Sequence, residues 1–118
     1  MKLVDADGIA TMINRSLLIV RARPPFIEWA NSLDDGPKAS LDTYEPTAYL
    51  VDEVDEVADL PRLEKALWRL IFEHQLASWD RDPDNWPPHR SRSAFQQWFE
   101  AELHPMVLDA GSGEIDPI

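Results

Sequence analysis

"SAFQQWFEAELHPMVLDA", Ser93–Ala110, decides where the last helix stops and the last strand begins, and with that the make-up of the sheet. Ser93 followed three residues later by Gln96 has the form of a capping box. The serine hydroxyl would accept from an early backbone N–H of the helix and the glutamine would reach back. Phe95, Trp98, Phe99, Leu103 and Met106 then fall along one stripe at helical spacing. This spacing predicts a helix over 94–104, closed by Pro105, and a short strand over 106–110. Residues 111–118 remain as a turn and tail.

Working outward, the stretch from Leu60 to Trp79 reads as a long helix, with Asp59 as N-cap and Pro61 in its first turn. Leu63, Leu67, Leu70, Ile71 and His74 share one face, and Trp68, Phe72, Leu76 and Trp79 the nearly opposite one. A helix apolar on two faces is expected to lie between two layers. Upstream, "SLLIVRAR" (Ser16–Arg23) reads as a central strand, because four consecutive apolar residues need cover on both faces. Pro24 and Pro25 stop it and pre-set the first turn of a helix over 24–33. "TAYLVDEV" (Thr47–Val54) is rich in β-formers and reads as a second strand. The order is β-α-β-α-α-β. A right-handed crossover would make the first two strands parallel, and the third antiparallel to them. The expected fold is α/β in the α+β sense, a small three-stranded mixed sheet packed on helices. The chain reads as one domain over 1–118, with 1–12 open between an N-terminal extension and a short helical turn at "DGIATMI".

The 118 residues carry a net charge of −11, 44% hydrophobic residues and no cysteine. That composition is globular. The absence of cysteine removes disulfides and thiolate chemistry. The charge opposes binding to nucleic acid and to anionic membrane surfaces. It is also uneven, since residues 34–59 alone hold nine acids and one lysine. The start of the chain lacks the apolar run of a signal peptide and no segment is long enough to span a bilayer, so a cytoplasmic location is expected.

Two segments carry a resemblance. Trp86, Pro87 and Arg90 form a Trp-Pro-x-x-Arg element. Trp98, Phe99, Glu102 and His104 form a Trp-Phe-x-x-Glu-x-His helix leading into an apolar strand. Over residues 13–110 the chain resembles a family of small acidic bacterial proteins of unknown function that carries both elements. The family has a serine after the histidine where this chain has Pro105. The resemblance implies a fold and a cluster of residues, and no chemistry.

The candidate sites follow from residues out of place. Glu102 falls on the apolar stripe of its helix, and His74 at the centre of an apolar face on another. Together they would make a Glu–His dyad usable as a general base or as half of a metal site; alternatively, each finds its own structural partner. Glu100 and His104, at i and i+4, are a weak metal-ligand pair, short of the three or four ligands zinc takes. Asp80, Asp82 and Asp84 open a calcium-loop frame that fails at Asn85 and Ser91, where glycine and glutamate are needed. No cofactor is indicated. Trp79, Trp86 and Trp98 suit an aromatic clamp that pins the loop 80–92, with Arg90 stacked on Trp86. Exposed, the same pair would be a binding surface. The run Asp52, Glu53, Asp55 and Glu56 would dock a basic protein, or simply be solvated, with acids paired to Arg21 and Arg23.

Three functional readings result. The leading one is a non-catalytic binding or regulatory module that recognises a protein, a basic one above all, through the acidic run or the Trp86 loop. The second is a small hydrolase-like enzyme using His74 and Glu102. The third is a homodimer formed over a sheet face that helices leave uncovered.

Overall fold

The computed structural model of the chain describes residues 10–33, 36 and 38–118. Expectations for residues 1–9, Asp34, Asp35 and Pro37 lie outside the described residues. In chain order the elements are β1 (Thr11–Met12), β2 (Arg15–Ala22), α1 (Pro24–Ser32), β3 (Thr47–Asp52), α2 (Leu60–Trp79), α3 (Arg92–Trp98), β4 (Phe99–His104) and β5 (Leu108–Asp109). The class is α+β, as the apolar patterning predicts. The sheet differs from expectation in two ways, and each difference has a local cause.

The first is direction. The sheet has the order β3-β2-β4, and both pairings are antiparallel. The segment between β2 and β3 does not cross the sheet. α1 has nine residues, so it rises only about 13 Å, and the chain then doubles back. Asn31 holds the return: its side chain accepts from Ala39 N at 2.7 Å and donates to Ala39 O at 2.9 Å. Thr47 therefore pairs with Val20, near the end of β2 that the chain had just left. The parallel crossover is corrected accordingly.

The second difference is the helix expected over 94–104. It is capped by Ser91, not Ser93, with the Ser91 hydroxyl accepting from Ala94 N at 3.0 Å. Gln96 reaches across to Glu64 Oε1 at 2.5 Å instead of back to its own cap. The helix ends at Trp98, and the backbone becomes extended at Phe99. "FEAELH" alternates apolar and polar residues, the period of a half-buried strand. Phe99 and Leu103 are buried, whereas Glu100 and His104 are exposed. β4 thus takes the place in the sheet that had been expected for 106–110. Of that segment only Leu108 and Asp109 are extended, paired with Thr11 and Met12. Part of the presumed N-terminal extension is therefore strand.

Alternation divides the sheet cleanly. Ser16, Leu18, Val20, Thr47, Tyr49, Val51, Phe99 and Leu103 face the helices. Arg15, Leu17, Ile19, Arg21, Ala48, Leu50, Asp52, Glu100, Glu102 and His104 face the other way. The core joins Leu18, Val20, Val51, Phe99 and Leu103 to Phe26 of α1, Leu63, Ile71, Phe72 and Leu76 of α2, and Phe95 of α3. Its centre is a ring cluster: Phe72 lies 5.5 Å from both Trp98 and Phe99, and Phe26 lies 5.3 Å from Phe99. On α2 the two expected faces are the flanks of one wide stripe, with Ile71, Phe72, Gln75 and Leu76 buried along it. Leu70 and His74, expected inside, lie on its outer border and are exposed.

Buried Ser16 ties the two edge strands together where they leave the sheet. Its hydroxyl accepts from Val54 N at 2.9 Å and donates to Pro105 O at 3.0 Å. No helix among the described residues is long and apolar enough to cross a membrane.

Candidate functional site

β4 and α2 carry the two groups of the expected dyad, and the fold keeps them apart. Glu102 is on a strand, so its position beside Phe95 and Trp98 on a helical stripe does not arise. It points to the sheet face opposite α2. There Arg21 Nη1 donates to Glu102 Oε1 at 3.0 Å and approaches Glu100 at 3.8 Å, and His104 Nε2 bonds Glu102 Oε2. The His104 bond first, and then the Arg21 bond, hold the Glu102 carboxyl below its ordinary value. A carboxyl with a lowered folded pKa stabilises above the ordinary carboxylate range, and that contribution disappears as pH falls through the folded value. Glu102→Gln should therefore lower the melting temperature at neutral pH, with the difference closing in acid. Melting curves of both proteins across the acid range check this; a difference independent of pH would contradict it.

The same change of element dissolves the metal pair. Glu100 and His104 share a strand face, which sets their Cα atoms about 13 Å apart, with Glu102 between them. No group of three or more His, Asp or Glu side chains that could hold a metal occurs among the described residues. Arg21 pairs with β4 acids and not with the acids after β3, because the antiparallel register places Arg15 opposite Asp52.

His74 belongs to a hydrogen-bond network that joins α2 to β3. Its Nδ1 lies 2.6 Å from the Tyr49 hydroxyl. Gln75 Nε2 donates to that hydroxyl at 2.8 Å and to Thr47 Oγ1 at 2.9 Å, and Gln75 Oε1 accepts from Tyr44 at 2.9 Å. The Tyr49 hydroxyl thus joins Gln75 and His74 in one network. Burial pushes the Tyr49 and Tyr44 phenols up, so both remain donors. Gln75 is 1% exposed, with every polar position of its amide engaged. Sequence reading missed it because it tracked apolar residues, and Gln75 is the polar member of the buried stripe.

The loop 80–92 is pinned by indoles. Trp29 Nε1 donates to Asn85 O at 3.0 Å and Trp86 Nε1 to Asp80 O at 2.7 Å, while Trp79 Nε1 ties the end of α2 to Ala30 O of α1 at 3.1 Å. Trp86 is half-buried against the core. The Arg90 guanidinium lies 5.5 Å from its ring and donates to Pro87 O at 2.8 Å. Asp80 and Asp82 accept from Asp82 N and Asp84 N at 2.9 and 3.0 Å, which are turn bonds that occupy the frame once read for calcium. Trp86 and Arg90 thus hold the loop together.

No family model, curated protein or solved structure matches the chain. The candidate site therefore rests on geometry.

Asp52, Glu53, Asp55 and Glu56 are all exposed. Many other acids have a cation: Asp59 has Arg62, Glu64 has Arg92, Glu73 has Arg69 and Arg90, and Glu100 and Glu102 have Arg21. None of the four forms an ion pair among the described residues. Asp52 and Glu53, with Arg15 and Arg62, line a cleft of about 330 Å³ between the end of β3 and the first half of α2, floored by Val51, Leu63 and Leu67, and Asp55 and Glu56 follow just beyond it in the chain.

Proposed function

We propose that the chain is a protein-binding module whose acidic surface recognises a basic partner protein. One observation carries the reading: Asp52, Glu53, Asp55 and Glu56 stand exposed without ion pairs beside the cleft. Carboxylates concentrated in this way raise association rates with a cationic partner and reject anionic ones. Each exposed contact contributes little alone, so recognition by such a surface is collective and salt-sensitive. The separate engagement of His74 and Glu102 weighs for binding over the enzyme reading, and the structural role of Trp86 and Arg90 weighs for the acidic run over the loop. The homodimer reading concerns a different surface, the sheet face away from the helices that carries Leu17, Ile19 and Leu50.

Carbodiimide coupling of the protein in its host lysate tests the reading, since the reagent joins a carboxylate only to an amine in contact with it. The expected result is partner lysines joined to Asp52, Glu53, Asp55 or Glu56, located by mass spectrometry. Partner lysines joined only to other carboxylates would place the interface elsewhere.

A further inference from the structure

We infer that the groove between β3 and α2 takes an extended lysine- or arginine-bearing segment of the partner, which adds to the sheet as a strand along the open edge of β3. This rests on the binding reading above and specifies its geometry.

Among the described residues β3 has a strand neighbour on one side only. Alternate residues of an edge strand direct their N–H and C=O groups away from the sheet, ready to pair with another chain. Proteins commonly blunt such an edge with proline, lysine or a bulge. β3, "TAYLVD", has no proline or lysine and pairs with β2 in unbroken register from Thr47 to Asp52. Leu50 and Val51, from opposite faces of β3, both line the groove, so it wraps round the strand to its edge. Across it stand Leu63, Ala66 and Leu67 of α2. A strand added here would send alternate side chains towards α2, where the apolar floor lies, and the others over the face bearing Ala48 and Leu50. Leu50, one of the lining residues, is 51% accessible and adds apolar surface.

Charge selects the occupant. Asp52 and Glu53 line the groove, and Asp55 and Glu56 continue from it. Arg15 and Arg62 line it as well; Arg62 pairs with Asp59 at 3.3 Å, whereas Arg15, which donates to Asn14 O at 2.9 Å, forms no ion pair among the described residues. The charges without an ion pair are therefore four carboxylates against one arginine, an excess that is negative. A second copy of this chain would meet them with its own excess of acids, whereas an extended basic segment complements both the strand edge and the rim.

The test uses a labelled peptide alternating valine and lysine, the same peptide with alternate backbone nitrogens methylated, and a lysine-only peptide. Binding is followed by fluorescence anisotropy, with amide exchange mapping the protein. The expected result is binding of the valine–lysine peptide, weakened about tenfold or more by N-methylation, which removes strand hydrogen bonds. New exchange protection should fall within residues 47–53. Ala66→Trp, which fills the groove from an exposed helix position, should weaken binding by a similar factor. The methylated peptide asks the same question of unaltered protein.

Equal binding of all three peptides, abolished by Asp52→Lys with Glu53→Lys, would overturn strand addition and leave the acidic-surface reading standing. Valine–lysine binding unaffected by that double reversal would overturn the acidic reading itself. No binding by any peptide would overturn strand addition, as would a dimeric mass with the β3 amides already protected.

Discussion

Phe72→Ala should cost about 3–5 kcal/mol of folding stability, the largest effect expected of any single substitution here. Phe72 is 1% exposed and sits where α2, α3 and β4 converge. Its ring lies 6.1 Å from Phe95 and 5.5 Å from both Trp98 and Phe99. Truncation removes the ring's transfer free energy, leaves a cavity that neighbouring rings cannot collapse into, and ends the edge-to-face contact with Phe99. Domains of this kind are stable by about 5–15 kcal/mol in total, so the loss is a large share of the whole. Urea unfolding monitored by tryptophan fluorescence measures it. A loss below about 1.5 kcal/mol, with the slope unchanged, would mean that the ring cluster does not carry the core.

Gln75→Ala should cost about 2–4 kcal/mol, although the residue is polar. Its amide is the hub through which Tyr44, Thr47 and Tyr49 meet α2. Removing it opens a cavity and leaves the Thr47 hydroxyl without that partner, while Tyr49 falls back on His74 and Tyr44 on Ser78. Thr47→Val removes one acceptor only and should cost about 1 kcal/mol. Equal losses for the two variants would show that no network exists beyond pairwise contacts. A Gln75→Ala loss within about 0.5 kcal/mol would contradict the structural role outright.

The elements that the sequence made legible are those whose pattern had one period. "LLIV" read as a central strand and β2 is central, although only Leu18 and Val20 are buried, and Leu17 and Ile19 are half-buried on the face away from the helices. The long α2 stripe could only be a helix, and its start at Pro61 was readable. The segment from Phe95 to His104 was misread because two signals overlap within it. Glutamate, alanine and leucine favour helix and a plausible cap precedes them, yet "FEAELH" alternates with period two. Tertiary pairing with β2 settles the conflict, since the buried edge of β2 needs a partner and extended Phe99 and Leu103 supply it. Once β4 is a strand, Glu102 and His104 turn outward, and the dyad and the metal pair both lose their basis.

Strand direction was not legible, because it depends on Asn31 turning the chain back after α1. The acidic run was read in its correct place. What the sequence could not give was its setting, an open strand edge on one side and a helix on the other. Only the pairing order β3-β2-β4 supplies that.

The binding reading stands or falls with those carboxylates. The decisive measurement is affinity capture from host lysate with the tagged protein and with a variant carrying Asp52→Lys, Glu53→Lys, Asp55→Lys and Glu56→Lys, washed first at low and then at high salt. All four positions are exposed, so the variant should fold. The predicted result is a stoichiometric basic protein on the wild type, released by salt, and none of it on the variant. The same partner held equally by both proteins would contradict recognition through this surface.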